Sequence, residues 1–156
     1  MTYERFEDLP VWNAAMELAV KIYTMTEKPP FRRKYSLRDQ IERAALSVSN
    51  NIAEGFERGT TQELLTFLYI ARGSAGEVRS MLCFVERLPA FQDFKSEISN
   101  LKSEAEGISR QIRAWADSLQ NSEIKGQRYL NEKERSAVKS EKEKAEFINM
   151  LKSYKK

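Results

Sequence analysis

The side chains able to do chemistry concentrate in residues 36–88, SLRDQIERAALSVSNNIAEGFERGTTQELLTFLYIARGSAGEVRSMLCFVERL. Gln40, Ser47, Ser49, Asn50, Asn51 and Glu54 alternate there with apolar residues, and a run of small ones follows, Ala71, Gly73, Ser74, Ala75 and Gly76. Nucleophilic catalysis would need a base beside Ser47 or Ser49, and the chain has no histidine. That also removes the commonest metal ligand. Carboxylate-bridged di-metal sites take a Glu-x-x-His element from each of two helices, so Glu54, Glu63 and Glu77 cannot build one. Paired carboxylates for acid–base work need a cleft and raised pKa values, and nothing in the pattern indicates either. The one cysteine, Cys83, sits in MLCFV and reads as an inert core thiol. A single cysteine makes neither a disulfide framework nor a cysteine zinc site within one chain. The residue types therefore point to no catalytic group, no metal and no cofactor. They suggest close helix contact with specified polar partners.

A second kind of chemistry is phosphate binding. Arg43, Arg58, Arg72 and Arg79 lie on helical segments, and Arg32, Arg33 and Lys34 lie in the basic stretch KPPFRRKY. Arg72 and Arg79 are seven apart, two turns along one helical face. Such a set serves either as an ordinary solvated face or as a phosphate-binding surface whose affinity falls with salt.

Stepping to the elements that must hold these groups, the chain has 156 residues, 31% charged and 41% hydrophobic, with six glycines and four prolines. That composition fits one soluble helical domain with an appendage. Residues 1–120 carry 16 basic and 17 acidic side chains, and residues 121–156 carry 10 and 6, so the basic excess belongs to the tail. No stretch approaches the roughly 18 apolar residues of a membrane span, and the start MTYERFEDLPVW lacks a signal core. A cytoplasmic setting without membrane contact is expected.

The periodicity predicts four helices. The first is capped by Asp8 and carries Leu9, Trp12, Ala15, Met16, Ala19, Ile22 and Tyr23 on one stripe, ending at Pro29 and Pro30. Ser36 caps the second, which buries Leu37, Ile41, Ala44, Ala45, Val48 and Ile52 and closes between Gly55 and Gly59. Thr60, with Glu63 as a capping box, opens the third, running to about Leu88. Its Leu65, Tyr69, Ile70 and Phe84 lie off the main stripe, so a second face awaits cover, most simply by another subunit. The fourth starts near Asp93 and carries a heptad seam, Phe94, Ile98, Leu101, Ala105, Ile108, Ile112, Trp115 and Leu119. The expected architecture is all-α, an antiparallel up-down-up-down four-helix bundle over residues 1–120. A charged, basic extension over 121–156 is either helical, capped by Asn131 with Glu134, or disordered.

Folding the second helix back on the third sets level positions that sum to roughly 115 at equal rise. Ala44 then meets Ala71, Ile41 meets Ser74, and Arg38 lies beside Glu77 as an expected ion pair. Glu54 is expected at the amino end of the third helix, favoured by its dipole. Gly73 and Gly76 each cost about 0.5–1 kcal/mol in a helix, so either packing or an approaching ligand must recover it.

Gln40, Ile41, Arg43, Ala44, Ser47, Asn51, Ile52, Ala53, Glu54, Gly55, Arg58, Phe67, Leu68, Ile70, Ala71, Gly73, Ser74 and Glu77 also form a recognisable pattern. It resembles the motif of the four-helix-bundle proteins found in intervening sequences of bacterial 23S ribosomal RNA genes, and the opening FEDLPVW is similar too. The resemblance covers roughly residues 5–120. It implies a non-catalytic, cytoplasmic homopentamer, and kinship with the accessory variability determinant of diversity-generating retroelements, which binds nucleic acid and a reverse transcriptase. Two places depart from the pattern. Arg33 and Lys34 make the loop before Tyr35-Ser36-Leu37 more basic, and residues 121–156 extend beyond the usual end. The expected function is a homo-oligomeric scaffold binding RNA or DNA through basic surfaces, the alternative being an adaptor that recruits a polymerase.

Overall fold

The computed structural model describes residues 3–122 and 132–153. They fall in two compact units, Met1–Gly126 and Gln127–Lys156. In the first, the described elements are a 3-10 turn Phe6–Asp8, α1 Pro10–Thr26, a turn Pro29–Phe31, α2 Tyr35–Glu57, α3 Thr61–Val85, a turn Pro89–Phe94 and α4 Lys95–Gln120. No strand occurs among the described residues. α1 packs on α2 and α4, α2 on α3, and α3 on α4, which closes a ring of four helices.

Helix starts differ from the sequence expectation at two places. Asp8 ends the 3-10 turn, and the extended residue Leu9 occupies the cap position of α1, with Pro10 in the first turn where a missing N–H costs nothing. α2 begins at Tyr35 after Lys34, with no side-chain cap, so Ser36 lies inside its first turn. Thr60 does cap α3, accepting from the Glu63 N–H at 3.2 Å. The Glu63 carboxylate accepts the Thr60 hydroxyl proton at 2.7 Å, in place of reaching the Thr60 backbone N–H.

The core draws on every helix. Leu18, Ile22, Met25, Ile41, Ile52, Leu64, Leu68, Leu82, Ile98 and Ile112 are fully buried. In α1 the buried set is Val11, Ala15, Leu18, Ala19, Ile22 and Met25, while Trp12 and Met16 are half-buried and Tyr23 is exposed. The stripe is thus rotated toward Leu18 and Met25. In α4 the seam is buried through Ile112, after which Ala116 replaces Trp115 as the inward residue. A straight helix of 3.6 residues per turn drifts against a 3.5-residue repeat, and the drift accumulates toward the end. Cys83 is half-buried, one position beyond the fully buried Leu82, and so is not a core thiol.

The α2–α3 seam has its midpoint at Gly59, whose φ of +82° suits glycine alone among common residues. Because α2 runs to Glu57 and α3 starts at Thr61, level positions sum to about 120, later than the simple rise argument allows. Ser47 and not Ile41 therefore meets Ser74, hydroxyl to hydroxyl at 2.9 Å. The Asn51 amide donates to the Ser47 carbonyl at 2.7 Å and to its hydroxyl at 2.9 Å. Ser49 is buried and bonds within its own helix, to the Leu46 carbonyl. Close approach falls at Gly55, where an added Cβ would lie 2.7 Å from the Phe67 Cβ. Gly73 and Gly76 are exposed, with open space above them, so they permit no packing inside this subunit.

The second unit contains α5, Glu132–Ser153. Residues 140–150 are all exposed, including Phe147, Ile148 and Met150. Asn131 lies outside the described residues. No helix among the described residues is long and apolar enough to cross a membrane.

Gly55→Ala is expected to destabilise the fold by about 1–3 kcal/mol, because Phe67 and Leu64 must shift. Gly73→Ala should leave stability equal or raise it by about 0.5–1 kcal/mol. Thermal or urea unfolding of the two variants checks the contrast, and equal losses would contradict the packing described.

Candidate nucleic-acid interface

The loop between α1 and α2 is short and fixed from below. Phe31 and Phe91 are both fully buried and meet edge to face, ring centroids 4.6 Å apart. Burying each ring contributes about 1.5–3 kcal/mol, which ties this loop to the one between α3 and α4. Lys28 turns inward: its ammonium meets Glu97 at 2.5 Å and lies 5.0 Å from the Phe94 ring centre. The backbone then makes tight turns, Arg32 N–H to the Pro29 carbonyl and Lys34 N–H to that of Phe31.

This geometry sorts the seven cations that the sequence singles out. Arg43 pairs with Asp39 at 3.1 Å. Arg58 pairs with Glu54 at 2.8 Å, lies 3.8 Å from Glu63 and covers the Phe67 ring. Arg79 is 3.9 Å from Glu106 on α4. Arg72 is half-buried and donates to the Ser109 hydroxyl at 3.4 Å, with no carboxylate at ion-pair distance among the described residues. By contrast Arg32, Arg33 and Lys34 are all exposed and form no ion pair among the described residues, and Tyr35 beside them is 76% exposed. Three cations without an ion pair among the described residues and an aromatic thus follow one another on a tightly turned segment.

The polar motif residues are mostly structural. Gln40 donates to Glu77 at 3.3 Å, and Ser47, Asn51 and Ser74 form the seam network. Two expected contacts are replaced. Arg38 pairs with Glu42 one turn along its own helix at 2.8 Å, not with Glu77. Glu54 pairs with Arg58, so it does not serve the amino end of α3, where Thr60 already supplies the acceptor. The Arg38 contact has a further reason. Glu42 is mostly buried and accepts the hydroxyl proton of the fully buried Thr26 at 2.5 Å, joining α1 to α2. The i,i+4 spacing of Arg38 and Glu42 signalled that pair; Thr26 carried no local signal.

Between α3 and α4, Lys102 donates to Glu86 at 2.7 Å, which holds the Glu86 carboxyl below its ordinary range. Two open clefts flank α3. One, of about 300 Å³, lies between the start of α2 and the end of α3. The other, about 380 Å³, lies between the start of α3 and the end of α4, where Gln120 donates to the Tyr69 hydroxyl at 2.5 Å. No cluster of three or more His, Cys, Asp or Glu that could hold a metal occurs among the described residues.

The fold and this surface define an all-α protein whose four-helix domain presents a basic turn. The profile of the 23S rRNA-intervening sequence protein family matches residues 7–114, and the chain belongs to that family. No curated protein matches the chain.

A double-mutant cycle tests the electrostatics. Arg38→Ala and Glu42→Ala should couple by about 0.3–1 kcal/mol, whereas Arg38→Ala and Glu77→Ala should add within about 0.3 kcal/mol. Coupling confined to the second pair would refute the assignment.

Proposed function

We propose that this protein is a non-enzymatic, cytoplasmic, homo-oligomeric scaffold, built as an antiparallel up-down-up-down four-helix bundle, that binds nucleic acid through the α1–α2 turn. RNA is the foremost ligand. The observation that carries the reading is the set Arg32, Arg33 and Lys34, exposed and without an ion pair among the described residues where most helix arginines are neutralised. Three phosphate contacts to a single strand give a slope of log affinity against log salt of about −2. Replacing all three by alanine should remove most of that slope and weaken binding at low salt, measured by fluorescence anisotropy. Affinity and slope unchanged by the triple substitution would overturn the reading.

Self-association is supported by the outer face of α3. Tyr69 and Ile70 are 46% and 48% exposed beside the bare Gly73 and Gly76, an apolar strip that a second copy would cover. The resemblance supports a pentamer. Sedimentation at micromolar concentration should show an assembly that Ile70→Asp dissociates, and a wild-type monomer would remove this part of the proposal.

A second reading is a protein adaptor that recruits a reverse transcriptase or another polymerase. It is favoured by α5, which lies outside the matched 7–114 and exposes Phe147, Ile148 and Met150. Capture of one protein partner that survives nuclease treatment, and is lost in a Phe147→Glu, Ile148→Glu variant, would select it.

A further inference from the structure

We infer that the cleft between the start of α2 and the end of α3 seats one unpaired nucleobase of the single-stranded RNA whose phosphates lie on Arg32, Arg33 and Lys34. The inference rests on the nucleic-acid reading above and specifies what the protein grips besides phosphate. α2 contributes Ser36, Leu37 and Gln40 to the walls, and α3 contributes Ser80, Met81 and Phe84. The volume, about 300 Å³, is at the lower end of small-ligand clefts.

The lining has the chemistry of a base. Phe84 is 54% exposed, an aromatic face held at the surface by a rigid helix. Bases stack on such faces whatever their identity. Leu37 is half-buried and Met81 is 8% exposed, so the apolar part is packed against the core and its thioether is suited to π contacts. Ser36, Gln40 and Ser80 supply hydroxyl and amide groups for the polar edge. Gln40 uses one amide N–H on Glu77, and its carbonyl oxygen stays available as an acceptor.

Position links the cleft to the cations. Lys34 precedes Ser36 by two residues, so the cationic turn runs directly into the cleft wall; two Cα steps span at most about 7 Å. The neighbouring carboxylates Asp39 and Glu42 are tied to Arg43 and Arg38. Glu77 accepts from Gln40 at 3.3 Å and forms no ion pair among the described residues. Three cations on the turn that leads into the wall, without an ion pair among the described residues, and a partly polar lining fit a polyanion with exposed base faces better than an apolar helix. A duplex stacks its bases internally and offers none to the cleft.

Anisotropy of a labelled short oligoribonucleotide tests this, with its abasic counterpart and a duplex of equal charge as comparisons. Phe84→Ala should weaken single-strand binding about 5- to 160-fold, the range of one lost stacking contact, with the salt slope unchanged, and Phe84→Trp should restore it. The abasic strand should bind wild type and Phe84→Ala alike. Phe84 is more than half exposed, so a thermal melt matching wild type confirms that the variant is folded. Single-strand binding by Phe84→Ala equal to wild type overturns the inference, and the loop reading survives if the Arg32, Arg33 and Lys34 triple variant still loses affinity. Loss in neither variant overturns both. A lower sedimentation coefficient for Phe84→Ala overturns it in favour of a second copy in the cleft.

Discussion

The closeness of α2 to α3 at Gly55 is the constraint on which the rest depends. With an added Cβ held 2.7 Å from that of Phe67, no other residue fits without movement. That approach brings Ser47 and Ser74 within one hydrogen bond and leaves the Thr60 cap to satisfy the first turn of α3. It also fixes which face of α3 points outward. Tyr69, Ile70 and Phe84 are exposed because Leu64, Leu68, Ala71, Ala75 and Val78 are committed to the core.

At the opposite end of α2, aromatic packing takes over from small residues. The edge-to-face contact of Phe31 with Phe91 adds about 0.5–1.5 kcal/mol to the burial of both rings. It clamps two loops that are distant in sequence, and Lys28 is absorbed by Glu97 and Phe94 in the same clamp. The remaining basic residues of the turn meet no carboxylate among the described residues and face solvent. A backbone already held in tight turns loses less freedom on binding than a flexible arm, so more of the attraction shows as affinity.

Much of this was legible from residue order. Apolar periodicity located the four helices, and Thr60, Gly59 and Pro10 marked their ends as local chemistry dictates. The errors were errors of register. A partial rotation of the buried stripe in α1 exchanged Tyr23 for Met25 while keeping Ala15, Ala19 and Ile22, and a shifted hairpin midpoint moved Ser74 from Ile41 to Ser47. Both follow from tertiary packing, which periodicity constrains only to within a residue or two. The cations were found by type, but their sorting was not. Whether Arg43 or Arg33 is free depends on Asp39 sitting one helical turn away in one case and on the direction of a loop in the other.

The hairpin of α2 and α3 has a kinetic side. Its link is only a few residues, so closing it costs little chain entropy, and its contacts can form early. The contact of Lys21 with Glu104 spans 83 positions, so closing it costs more chain entropy and it is expected to form later. Changes at Gly55 should thus act on the rate at which the chain reaches its native state. Changes at the α1–α4 seam should act on how fast it leaves. The same short turn that shapes the domain would then offer newly made chains a nucleus before α4 is available to complete it.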